Sequence, residues 1–142
     1  MISLGVLGYA IALPGMSVAG VTFDAHTLLF ASLFILCGYK SIAFALFTKT
    51  FAIKEHLLPS DPQLELLFNV MTFQRSLAGG VAALAFGVFL LLGAISQWSA
   101  VGFGHLDYSH TMRWVVPGAM CTALGVETIL ATFFLHILRS AR

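Results

Sequence analysis

Long apolar stretches separated by short polar segments divide the chain into four parts. Three of them, at residues 27–51, 73–98 and 112–138, exceed the about 20 apolar residues that a helix needs to cross a membrane. A fourth, at residues 2–13, is apolar but too short to cross about 30 Å at 1.5 Å per residue. The pattern predicts an all-α integral membrane protein with three full transmembrane helices and a short amino-terminal apolar helix, four membrane helices in all. Residues 1–142 then form a single membrane domain.

The polar segment at residues 52–72 predicts a short helix of its own. Asp61 can cap a helix whose first residue is Pro62, and Glu65 falls in the first turn, where the helix dipole favours an acid. Apolar residues recur at helical spacing as far as Met71, so we expect a short interfacial helix.

The basic residues predict how the chain sits in the membrane. Lysine and arginine flank the middle segment and the carboxy-terminus, as Lys49, Lys54, Arg75, Arg139 and Arg142, whereas residues 14–26 and 97–111 contain neither. The positive-inside rule therefore places the loop at 52–72 and the carboxy-terminus in the cytoplasm. We expect a multi-pass protein of the bacterial inner membrane. Three of these cations, Lys49, Lys54 and Arg75, could contact lipid phosphate, although orientation alone also explains them.

Composition supports the membrane assignment and excludes several functions. Hydrophobic residues make up 59% of the chain and charged residues 9%, against about 25% charged in soluble domains. A net charge of +1 argues against a nucleic-acid partner. No catalytic motif is visible, and the spacing of the two cysteines matches no metal site. His105, Asp107 and His110 lie together in the outer loop, where a role as interfacial polar residues explains them better than the alternative of a weak metal site. The sequence predicts a chain without catalytic residues, metal or cofactor.

Lys40 and Glu127 are the charged residues near the middle of the apolar stretches. Each lies eleven residues before the inner end of its helix, so the two charges should lie at one depth. Because a lone charge in the membrane is costly, we expect a buried ion pair between these helices. Binding of a lipid or a partner subunit, a proton path, and Lys40 reaching the interface alone remain alternatives.

Small residues in the second long stretch predict a helix contact. Gly79, Ala83 and Gly87 recur every four residues, and such rows let two helix backbones approach closely in lipid. A groove for a cofactor is the alternative.

Several polar loop patterns resemble a known family. They are DAHTLLFAS at 24–32, FTKTFAI at 47–53, LLPSDP at 57–62 and TMRWVVPG at 111–118. Together they resemble the carboxy-terminal membrane segment of bacterial family-two glycosyltransferases, the relatives of dolichol-phosphate mannosyltransferase. In that family a cytoplasmic domain binds the nucleotide sugar and transfers the sugar to a polyprenyl phosphate, while the membrane segment anchors it.

The resemblance implies a membrane part without its catalytic domain, so no catalytic or metal residue can be assigned by it. Lys40 and Glu127 depart from the uncharged polar residues that the family leads us to expect. Two functions remain open. The chain is the membrane half of a split glycosyltransferase that works with a soluble catalytic partner, or an accessory subunit of a larger photosynthetic or respiratory assembly. A small transporter is a third and weaker possibility. In each case membrane lipid surrounds the chain.

Overall fold

The computed structural model describes residues 1–12, 17–18, 21–22, 25–59, 61–100 and 108–140. Its elements, in chain order, are α1 (Ile2–Ala12), β1 (Ser17–Val18), β2 (Val21–Thr22), α2 (Ala25–Lys54), α3 (Pro62–Val70), α4 (Phe73–Ala100) and α5 (Tyr108–Ser140). Within these residues, α2, α4 and the part of α5 from Thr111 to Ser140 are long and apolar enough to cross a membrane. The predicted all-α fold is confirmed. The structure adds only a two-residue antiparallel ladder between β1 and β2.

The four membrane helices form a row in the order α1, α2, α5, α4. Contacts between α1 and α2 run in opposite directions along the two helices, and so do those between α4 and α5. The contacts of α2 with α5 advance together, from Tyr39 on Thr128 to Phe47 on Phe134, so these two helices are parallel. This is the direction that the matched-depth argument for Lys40 and Glu127 required.

The short helix α1 lies against the first half of α2. Its 11 residues extend for about 16 Å, roughly half the hydrocarbon thickness. The backbones approach so closely that a Cβ on Gly5 would lie 2.6 Å from the carbonyl oxygen of Ala31. One hydrogen bond joins the pair, with 2.6 Å between the Tyr9 hydroxyl and Oγ of Ser32. These contacts hold α1 against α2 although α1 is too short to span.

A capping motif centred on His56 follows the last residue of α2, Lys54. The His56 N–H donates to the carbonyl of Ile53 and the Leu57 N–H donates to that of Ala52, the two bonds of a Schellman motif. His56 has φ 57°, in the left-handed region that such a cap requires. A residue with a Cβ is strained there, and glycine would not be.

Helix α3 begins as its sequence predicts. The Asp61 carboxylate accepts a hydrogen bond from the Gln63 N–H at 2.9 Å, Pro62 is the first helical residue, and Glu65 lies in the first turn. Asp61 therefore satisfies one of the free N–H groups in the first turn of α3.

The contact between α4 and α5 corrects one part of the predicted small-residue row. A Cβ on Gly79 would meet nothing within 4 Å, whereas one on Gly80 would lie 3.2 Å from the carbonyl oxygen of Gly125. A Cβ on Gly87 would lie 2.4 Å from the backbone nitrogen of Thr122. At 3.6 residues per turn, eight residues overshoot two turns by about 80°, whereas seven fall short by only about 20°. Gly79 and Gly87 therefore cannot both face α5, but Gly80 and Gly87 can.

Candidate functional site

Polar contacts inside the membrane region are concentrated between α2 and α5. Nζ of Lys40 lies 2.9 Å from Oε1 of Glu127. The neighbouring Tyr39 hydroxyl lies 2.8 Å from Oγ1 of Thr128, which also donates to the carbonyl of Leu124. The structure thus brings Lys40 and Glu127 together, and an uncharged hydrogen bond accompanies their ion pair.

The ion pair lies at the rim of this contact and is only partly covered. The Lys40 side chain is 66% exposed and that of Glu127 is 26% exposed. Apolar side chains, among them Phe44 and Leu130, line a groove beside the pair. This exposure differs from the buried pair that the sequence predicted: the two charges are paired, but the Lys40 side chain is largely uncovered. A charge at this depth and this exposure faces either lipid or another protein surface.

A second polar region lies where α2 and α5 end and α3 begins, which we call the α3 end of the bundle. The Lys49 ammonium forms an ion pair with the Asp61 carboxylate. This ion pair, together with the hydrogen bond from the Gln63 N–H, lowers the pKa of Asp61 below its ordinary value. The pair joins the last turns of α2 to Asp61, the N-cap residue of α3.

Two cavities flank α3 at this end. One, of about 470 Å³, is mostly apolar, with walls that include Leu67, Phe73, Leu135 and His136. The other, of about 650 Å³, has more charged side chains in its walls, and we call it the polar cavity; Thr50, Lys54, Glu65 and Asn69 are among its lining residues. Phe68 and Arg139 line both cavities, and the Arg139 guanidinium carbon lies 4.6 Å from the centre of the Phe68 ring. This cation–π contact therefore lies at the boundary that the two cavities share.

The three cations predicted to contact lipid phosphate occupy different positions at the α3 end. Lys49 is paired with Asp61, Lys54 lines the polar cavity, and Arg75 lies in the first turn of α4 outside the linings of both cavities. Arg139 lines both cavities, although the sequence suggested it only as a marker of orientation. Lipid-phosphate contact by these residues stays a prediction.

Thr50 is a further member of this region that the sequence did not reveal. It is 7% exposed, and its hydroxyl oxygen is buried without a hydrogen-bond partner. Other hydroxyl side chains of α2, those of Ser32, Ser41 and Thr48, donate to the carbonyl four residues earlier. A hydroxyl just inside a helix end, one turn before a lysine, is the only signal that could have indicated it.

Within the described ranges, no group of three or more histidine, cysteine, aspartate or glutamate side chains could hold a metal ion. Cys37 and Cys121 are free thiols. His105 and Asp107, in the loop between the last two spans, lie outside the described residues.

Comparison with known proteins places this architecture in a family. The family model described as the glycosyltransferase family 2 C-terminal transmembrane region matches residues 46–139, about two thirds of the chain. The match includes α3, α4 and every lining residue of the two cavities except Ser140, whereas α1 and Lys40 precede it. No curated protein and no solved structure matches the chain. The matched residues contain two of the spans and the end of the third, and the chain therefore belongs to the glycosyltransferase family 2 C-terminal transmembrane region family.

Proposed function

We propose that this chain is a non-catalytic subunit of the bacterial inner membrane that anchors a separate glycosyltransferase catalytic domain at the cytoplasmic face. The observation that carries the proposal is the family match over residues 46–139. The matched region is described as the membrane region of glycosyltransferases, so the partner that we propose is a catalytic domain of that family on a second polypeptide.

The distribution of charge supports an orientation with the α3 end in the cytoplasm. Four cations, Lys49, Lys54, Arg75 and Arg139, lie at this end, against one described arginine, Arg113, near the other end. The excess favours the positive-inside arrangement. A soluble catalytic domain would then meet the turn after α2 and the outer face of α3, where Leu57 is 73% and Leu66 66% exposed.

The test is reconstitution with a soluble partner. Liposomes containing the full chain are mixed with a family-two catalytic domain that is encoded in the same genome without membrane helices, and the mixture is floated on a density gradient. We expect the domain to float only when the chain is present, and sugar transfer to polyprenyl phosphate to increase. Leu57→Glu should weaken flotation, and Ser99→Glu, at the opposite end of α4, should not. If no such domain floats with the chain, the anchoring function is wrong.

One observation favours a second function, that of accessory subunit in a larger membrane assembly. Lys40 is largely exposed in the middle of α2, beside an apolar groove, and a neighbouring transmembrane helix could cover it. Copurification of the tagged chain in fixed stoichiometry with an energy-converting complex, lost in Lys40→Leu, would support this function over the first. The absence of such a complex from the purified material would contradict it.

A further inference from the structure

The polar cavity beside α3, which we call the headgroup cleft, has the chemistry of an anion site at the membrane surface. Its walls come from the last turns of α2, from α3 and from the last turn of α5, with Thr50, Lys54, Glu65 and Arg139 among them. Lys54 and Arg139 are exposed and, among the described residues, neither forms an ion pair with an acid. Two cations are therefore available to a ligand at the level where the spans end.

Thr50 provides an independent sign that something binds here. Its hydroxyl oxygen is buried and lacks a partner, although the residue is more than nine-tenths covered. A buried donor without an acceptor is unfavourable, so such a group indicates a ligand or ordered water. Because Thr50 lies one helical turn before Lys54 in the wall of the cleft, an oxygen of one bound anion could accept from both side chains.

The charge of the lining restricts the ligand further. Asp61 is neutralised by Lys49, so the charges open to a ligand are those of Lys54, Arg139 and Glu65. Two cations and one acid leave a charge of +1. A phosphodiester, with one negative charge, complements this lining, whereas a phosphomonoester carries about −1.5 to −2 at neutral pH and would be overcharged for it.

We propose that the headgroup cleft binds the phosphodiester of an anionic phospholipid of the same leaflet, with Lys54, Arg139 and the Thr50 hydroxyl as donors. The adjoining apolar cavity favours a lipid over free phosphate. It meets the headgroup cleft at Phe68 and Arg139, and Leu67, Phe73 and Leu135 offer apolar walls for the first part of an acyl chain. The Phe68 ring packs on the Arg139 guanidinium and orients it at the boundary between headgroup and chain.

This site does not depend on a catalytic partner, and it can be tested on the full chain alone. The delipidated protein in detergent is titrated with phosphatidylglycerol, phosphatidylcholine or inorganic phosphate, and bound species are counted by native mass spectrometry. Phosphatidylglycerol should remain bound at about tenfold lower concentration than phosphatidylcholine. Lys54→Gln and Thr50→Val should each weaken phosphatidylglycerol binding about tenfold, the expected effect of losing one hydrogen bond to a charged group.

Two variants control for charge and for folding. Arg113→Gln removes one positive charge near the opposite end of the bundle, and it should bind phosphatidylglycerol like the parent. Lys54→Arg keeps the cation and should also bind like the parent. Equal binding of both lipids, equal loss in Arg113→Gln and Lys54→Gln, or displacement of phosphatidylglycerol by inorganic phosphate at millimolar concentration would each overturn the proposal.

Discussion

Replacing single glycines of α4 by alanine separates positions that differ only in what lies opposite them. Gly79, Gly80 and Gly87 all lie in one helix, yet an added Cβ meets no atom within 4 Å at Gly79, the Ile129 side chain at 2.9 Å at Gly80, and the Thr122 backbone nitrogen at 2.4 Å at Gly87. The nearest backbone atom lies at 3.1 Å at Gly80, where a small shift relieves the contact, but at 2.4 Å at Gly87, where the contact is relieved only if α4 and α5 separate. The three positions therefore form a graded series within one protein.

The magnitudes follow from two opposing effects. Alanine stabilises a helix by about 0.8–1.0 kcal/mol relative to glycine, and this gain applies equally at all three positions. Overfilling a packed contact costs about 1–3 kcal/mol. Gly79→Ala should thus raise the free energy of unfolding by close to 1 kcal/mol on the same scale. Gly87→Ala should leave it unchanged or lower it by up to about 2 kcal/mol.

The measurement is reversible unfolding in mixed detergent micelles, followed by circular dichroism. The informative quantity is the difference between Gly79→Ala and Gly87→Ala, because helix propensity cancels in it and only the overfilling of about 1–3 kcal/mol remains. Gly80→Ala should fall between the two. Gly125→Ala, on the facing helix and 2.4 Å from the Leu84 backbone nitrogen, should resemble Gly87→Ala. Equal changes at Gly79 and Gly87 would refute the close approach of α4 and α5.

Three further predictions concern polar groups. In a double-mutant cycle of Lys40→Met and Glu127→Leu, the double variant should be more stable than the sum of the two single losses predicts, because each single change leaves one charge unpaired. Additive losses of stability in thermal melting would mean that the two charges act independently. His56→Gly should stabilise the protein by about 0.5–1 kcal/mol because it relieves the strain of the left-handed φ in the α2 cap, and His56→Val should destabilise it. If His56→Val melts at a higher temperature than His56→Gly in the same assay, the left-handed conformation of residue 56 is wrong. The ion pair of Asp61 and Lys49 should stabilise the protein fully above pH 3.8, the ordinary pKa of Asp61, and less as the pH falls through the lowered pKa of Asp61 in the folded state. The reason is that the Asp61 carboxylate binds a proton less readily in the folded state than in the unfolded state. Asp61→Asn keeps an oxygen for the α3 cap, so its melting temperature should differ from that of the parent above that pH and converge with it below; a difference that does not change with pH would exclude the ion pair as its cause.

Features that depend on local chain chemistry could be read from the sequence. The three spans follow from the length of apolar stretches, because every backbone polar group in lipid must be satisfied within its own helix. The start of α3 follows from Asp61, Pro62 and Glu65, because a cap involves only residues a few positions apart. The association of Lys40 with Glu127 could also be anticipated, because depth in a membrane is a coordinate that sequence position nearly determines.

Features that depend on which face of a helix meets a neighbour were decided only by the tertiary structure. Gly80 and not Gly79 contacts α5, because rotation about the helix axis depends on how α4 packs against α5, which a row of small residues does not define. The exposure of Lys40 likewise depends on how much of its side chain the neighbouring helices cover. The headgroup cleft joins Thr50 to Arg139, which are far apart in sequence, and it exists only because α2 and α5 run parallel and end at the same level under α3. The sequence by itself determined the membrane class, the helices and their depth. The site was determined by the rotation of each helix about its axis and by which helices are neighbours, and both of these arise from packing between segments that are distant in sequence.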